Sequence, residues 1–110
     1  MIRPVTPAEL SAMIAENPGI DLVDVRDPEE WITGHVAGAR LVPLAELRSD
    51  PEQHLVRGST IVFMCAKGVR GLQAAKLADR LGYEPSCNLE GGVTESARTG
   101  FALSHTPPAA

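Results

Sequence analysis

The sequence predicts an α/β domain, an open and mainly parallel sheet with helices on both faces. Two observations carry this. Short β-branched runs alternate with amphipathic segments along the chain, the order that strand–helix–strand units require. One run, Thr60-Ile61-Val62-Phe63-Met64, is apolar throughout after Thr60, as a central parallel strand covered on both faces must be.

Each element has its own local signal. Thr6-Pro7-Ala8-Glu9 opens a helix: Thr6 accepts from orphan N–H groups, Pro7 suits the first helical position and Glu9 completes a capping box. Leu10, Met13 and Ile14 then recur at helical spacing, and Asn17-Pro18-Gly19 ends the helix. Ile20 to Val25 is short, β-branched and bounded by turn signals, the pattern of a buried strand. Asp27 and Pro28 start a short helix that runs to Trp31 and stops by Gly34. Leu41-Val42 is a brief strand, Pro43 to Arg48 a helical turn or two, and a polar loop follows. After the strand ending at Met64, a helix is predicted from about Gly71 to Leu81, with Leu72, Ala75, Lys76, Ala78 and Leu81 in register. Ser86 to Leu89 is the last predicted strand, Gly91-Gly92 a tight turn, and a final short helix follows it. Ser104 to Ala110 is predicted to fray, which leaves 1–103 as one folded domain.

The bulk properties exclude several classes. A chain of 110 residues suits one core and no second domain. It is 44% hydrophobic and 22% charged, an ordinary globular balance. No apolar run approaches a membrane span, so no membrane association is expected. The N-terminus has no apolar stretch and no small-residue cleavage site, and the cytoplasm is the expected compartment. The net charge is −4, and the ten Lys and Arg residues are scattered, which argues against a nucleic-acid partner. The two cysteines, Cys65 and Cys87, are too few and too far apart for a zinc site of paired cysteines. No metal and no cofactor is expected.

The candidate chemistry lies in Cys65-Ala66-Lys67-Gly68-Val69-Arg70-Gly71, between the apolar strand and the following helix. In open α/β sheets the functional crevice lies at the carboxyl ends of the strands. The helix start offers unpaired N–H groups and a positive dipole end. Gly68 lets the loop curl into a nest of N–H groups, and Lys67 and Arg70 add positive charge. Each of these favours thiolate over thiol at Cys65. A buried structural cysteine is the competing explanation, but it accounts for neither Gly68 nor Arg70.

Five stretches resemble one family, the rhodanese sulfurtransferases. The loop from Cys65 to Arg70 is similar to their active-site loop. Leu22-Val23-Asp24-Val25-Arg26, Glu30-Trp31 and Gly34 to Ala39 resemble their first signature, and Asn88-Leu89-Glu90-Gly91-Gly92 the start of the last. The resemblance implies a two-step transfer. Cys65 takes a sulfane sulfur from a donor such as thiosulfate or a persulfide, becomes a persulfide, and passes the sulfur to cyanide or a thiol. Ala66, Lys67, Gly68, Val69, Arg70 and Gly71 would then cradle the anionic sulfur. A small anionic donor, a thiophilic acceptor and a sulfur-relay protein are the partners implied. Two cations in the loop suit a doubly charged donor.

The chain departs from the family in two places. Gly71 stands where Ser or Thr is common, removing a hydroxyl and loosening the helix start. Val93-Thr94-Glu95-Ser96-Ala97 lacks the usual aromatic, leaving the anchor of the last helix open. Asp24 and Arg26 are expected to be structural, Asp24 satisfying backbone groups and Arg26 pairing with a carboxylate such as Glu30. His35 is expected to pack, Trp31 to anchor a helix face, and Cys87 to be core. Two other functions compete. Cysteine phosphatases and arsenate reductases also close a cysteine loop with Arg, but their loops are one residue longer than the four residues separating Cys65 from Arg70. A non-catalytic interaction module is disfavoured by the presence of Cys65.

Overall fold

The computed structural model describes residues 1–107. Its elements run β1 (Ile2–Val5), α1 (Pro7–Glu16), β2 (Asp21–Asp24), α2 (Pro28–Trp31), β3 (His35–Val36), β4 (Arg40–Leu41), α3 (Leu44–Ser49), α4 (Pro51–His54), β5 (Ile61–Met64), α5 (Val69–Arg80), β6 (Ser86–Leu89), α6 (Gly92–Arg98) and β7 (Leu103–Ser104). The main sheet has the order β1-β6-β5-β2-β4, and each of its pairings is parallel. The apolar strand β5 sits in the middle, with Val62 opposite Cys87 on one side and Phe63 opposite Val23 on the other.

Strand alternation sorts the core into two layers. Val23, Ile61, Phe63 and Cys65 face Ala74, Ala75 and Ala78 of α5 and Leu47 of α3. Leu22, Val62, Met64, Cys87 and Leu89 face Leu10 of α1 and Val93 of α6. The predicted sheet with helices on both faces is therefore present. Val93, 4% exposed, supplies an apolar anchor for α6, and the Ser96 hydroxyl donates to the Gly92 carbonyl inside it. Among the described residues, no helix is long and apolar enough to cross a membrane.

The local signals hold where they are strongest. Thr6 Oγ1 accepts from Glu9 N at 3.1 Å and Glu9 Oε1 accepts from Thr6 N at 3.0 Å, a reciprocal cap of a kind worth about 1 kcal/mol. Asp27 N donates to Glu30 Oε1 at 3.1 Å at the start of α2.

Several expectations need correction. The N-terminal strand β1 goes unrecognised in the sequence because Pro4 interrupts it; Pro is tolerated because β1 lies at the sheet edge. The polar loop after Arg48 contains α4, started by Asp50 Oδ1 accepting from Gln53 N and by Pro51. The helix after the cysteine loop begins at Val69, so Gly71 lies in its first turn. Within the predicted tail, Ser104 and Thr106 have partners. Leu103 and Ser104 pair antiparallel with Val36 and His35, and Trp31 Nε1 donates to the Thr106 carbonyl at 3.0 Å. These contacts give residues 103–106 partners that a free end lacks. The remainder of the predicted tail, 108–110, lies outside the described residues.

Candidate active site

Cys65 follows directly from β5, at the carboxyl end of the central strand, and is 1% exposed. Its Sγ accepts two backbone hydrogen bonds, from Gly68 N at 3.1 Å and Gly71 N at 3.2 Å. The curl that brings them there depends on Gly68, whose φ is +109°, a region side chains rarely enter. Of the loop's side chains, Lys67 and Val69 are exposed. Two N–H dipoles converging on one sulfur stabilise negative charge on it.

Two neighbours hold the loop in this curl. From β6, Asn88 Nδ2 donates to the Gly68 carbonyl at 3.2 Å. Its Oδ1 is buried with no hydrogen-bond partner and lies 2.4 Å from where a Cβ on Gly71 would stand. The absent side chain at 71 therefore makes room for Asn88 and leaves the Gly71 N–H aimed at the sulfur. From α6, Val93 N donates to the Cys65 carbonyl at 2.8 Å and Thr94 N to the Ala66 carbonyl at 3.0 Å. Gly92 permits this approach: a Cβ there would sit 2.3 Å from the Cys65 carbonyl oxygen. Gly92 of the last signature thus serves the cysteine loop.

The charged residues are arranged differently from the sequence expectation. Arg26 pairs with Asp24 instead of Glu30, with Nη2 to Oδ2 at 2.9 Å and Nε to Oδ1 at 3.0 Å, and both residues are buried. Arg26 also donates to the Gly34 carbonyl at 2.9 Å. These contacts tie β2 to the end of α2. Glu30 takes Arg70, Nη1 to Oε1 at 2.6 Å and Nη2 to Oε2 at 2.8 Å. Arg70 beside it holds the Glu30 carboxyl down at about 2, against the opposing effect of partial burial. Glu30 correspondingly raises Arg70 further above its ordinary value. The second loop cation is therefore compensated, and two free cations do not face a donor.

His35 is buried and stacks on Trp31, ring centroids 3.5 Å apart, consistent with packing. Cys87 is buried in the layer on the opposite face of the sheet from Cys65, and burial pushes its thiol up. Sequence reasoning missed the roles of Asn88 and Glu30, since neither contact leaves a local signal. A groove of about 670 Å³, lined by residues including Thr6, Glu90, Gly91 and Phe101, adjoins the loop through Gly91, which lies beside Gly68.

A cysteine at a strand end, cradled by backbone N–H groups on a parallel α/β sheet, defines a cysteine-loop α/β domain. The rhodanese-like domain model matches residues 6–99, and the chain belongs to that family. It is 36% identical over 87 residues to human thiosulfate:glutathione sulfurtransferase, covering 67% of this chain and 76% of that protein. It is 33% identical over 95 residues to the probable adenylyltransferase/sulfurtransferase MoeZ of Mycobacterium tuberculosis, covering 86% of this chain but only 24% of MoeZ. The rhodanese-related protein of Thermoplasma volcanium superposes with a TM-score of 0.86 at 28% identity, over 94% of this chain and 99% of that one. The chain thus spans about a quarter of the length of MoeZ, and several of its relatives are named sulfurtransferases.

Proposed function

We propose that the protein transfers a sulfane sulfur through a persulfide on Cys65. The observation that carries this is the pair of N–H donors, Gly68 and Gly71, on Cys65 Sγ. In the first step the Cys65 thiolate attacks the sulfane sulfur of the donor. A new S–S bond forms, the donor's own bond to that sulfur breaks, and its electron pair leaves with sulfite from thiosulfate or with a thiolate from a persulfide. The Cys65 persulfide keeps one negative charge on its outer sulfur, which the loop N–H groups stabilise as an oxyanion hole does. In the second step cyanide or an acceptor thiol attacks the outer sulfur, and Cys65 leaves as thiolate. The physiological acceptor is a thiol on a small molecule or on a sulfur-relay protein.

The short loop supports sulfur chemistry over phosphate chemistry. Its donors converge on the sulfur itself, whereas a phosphate or arsenate needs donors for three outer oxygens. The test assays sulfur transfer from thiosulfate to cyanide, and hydrolysis of an aryl phosphate, with Cys65→Ser as blank. Wild type should transfer sulfur and Cys65→Ser should not. Inserting one Gly between Gly68 and Val69 weakens the transfer. Cys65-dependent phosphate release rivalling sulfur transfer would contradict the proposal.

A further inference from the structure

The charges around the cysteine loop offset one another. Arg70 is engaged by both oxygens of Glu30, and Asp27 adds its negative field to the same guanidinium. Arg26 is engaged by Asp24. That leaves Lys67, which is exposed and, among the described residues, within ion-pair distance of no carboxylate. On the other flank, Gly91 follows the exposed Glu90 and lies against Gly68. Lys67 and Arg70 are thus balanced by Asp27 and Glu30. Once Cys65 is a thiolate the region is negative overall. A dianion such as thiosulfate approaches such a site against its field, while a donor bearing little charge does not.

We propose that Glu30 is a specificity-determining positioning residue: by neutralising Arg70 it turns the loop away from dianionic donors and toward a low-charge alkyl persulfide, R–S–SH. The proposal rests on the Cys65 sulfurtransferase function proposed above and names its donor class. The step balances without an external oxidant. Cys65 Sγ bonds to the outer sulfur of R–S–SH and the bond between the two donor sulfurs breaks. The leaving RS⁻ takes the proton from the transferred sulfur. The products are the anionic Cys65 persulfide and R–SH.

Glu30→Gln tests it. The amide keeps one oxygen for Asp27 N and Arg70 Nη1, removes the charge, and gives up the second acceptor that Arg70 Nη2 uses. Steady-state parameters are measured with thiosulfate and with the persulfide of N-acetylcysteine methyl ester, whose flanks are uncharged. The Michaelis constant for thiosulfate should fall about five-fold at low ionic strength, and the gain should vanish in high salt. The constant for this persulfide, which carries at most one negative charge against two on thiosulfate, should shift by less than about two-fold. A merely structural Glu30 would cause losses with both donors and a gain with neither. Asp27→Asn, read in the same way, should lower the thiosulfate constant in the same direction by less, and it decides the matter if Glu30→Gln does not fold. A thiosulfate constant that stays or rises in the folded variants overturns the proposal. If neither donor loads sulfur onto wild-type Cys65, the sulfurtransferase function itself fails and takes this proposal with it.

Discussion

The Asn88 amide donates to the Gly68 carbonyl at 3.2 Å, so strand β6 holds the turn of the cysteine loop that aims the Gly68 N–H at Cys65 Sγ. The same side chain leaves Oδ1 buried and unpaired against Gly71. A buried orphan acceptor costs about 1–3 kcal/mol. Such a cost persists where the surrounding geometry serves function.

Asn88→Ala should therefore separate activity from stability. It removes one hydrogen bond, worth about 0.5–1.5 kcal/mol net, and also the orphan oxygen. Stability should change by less than about 1.5 kcal/mol. Sulfur transfer should fall about tenfold or more, because misplaced N–H groups stabilise the persulfide poorly. Denaturant unfolding and steady-state assays on the same preparation check both. Full activity in a folded variant would remove Asn88 from the loop's support.

Glu30 should confer stability that depends on acid. Its folded pKa is lowered from 4.5 to about 2 by Arg70, so its contribution is complete above the unfolded value. It is lost as pH falls from 4.5 toward about 2. Both partners are about one-third exposed, at 34% and 32%, so the effect should stay below about 1 kcal/mol. Urea unfolding of wild type and Glu30→Gln should differ most near neutrality and converge in that acid window. A difference that grows as the pH falls would contradict the assignment.

Gly92→Ala should be far more damaging than its size suggests. The new Cβ would lie 2.3 Å from the Cys65 carbonyl oxygen and 2.5 Å from that of Ala66, at a φ of +62°. Neither backbone atom can yield without opening the loop. A loss of about 2–4 kcal/mol is expected, measured as a lowered unfolding midpoint. Gly91→Ala meets the side chain of Glu95 instead and should cost less.

Cys87→Ser should leave at least about half the activity, because the two thiols lie on opposite faces of the sheet and alternate side chains of a strand point apart. Its cost should be in stability, about 1–3 kcal/mol for a buried hydroxyl with no partner assured. Transfer assays and thermal unfolding report the two separately. An inactive but folded Cys87→Ser would replace the single-thiol mechanism with a two-thiol one.

What the sequence discloses follows the range of each interaction. Thr6, Pro7 and Glu9 announce α1 because a cap is made within four residues. The apolar run of β5 announces a central strand because burial on both faces leaves no polar position. Gly68 and Cys65 announce the loop because its curl is local. The Glu30–Arg70 pair spans 40 positions, and Arg26, near in sequence, is the more obvious partner for Glu30. Only the fold shows that Asp24 takes Arg26 and frees Glu30 for the loop. Likewise β7 is two residues whose strand character comes entirely from His35 and Val36 opposite, and Pro4 hides β1 until its edge position is known. The two signature glycines 91 and 92 read as a turn, and the close approach of Gly92 to the Cys65 carbonyl appears only once α6 is docked.

The most direct test of the account is intact-protein mass spectrometry after incubation with a sulfane donor, thiosulfate in one sample and an alkyl persulfide in another. Wild type and Cys87→Ser should each gain the mass of one sulfur atom, mapped to the peptide bearing Cys65 and discharged by cyanide. Cys65→Ser should gain none. Sulfur that loads equally onto Cys65→Ser, or a wild type that loads none from either donor while folded, would contradict a persulfide carried on Cys65.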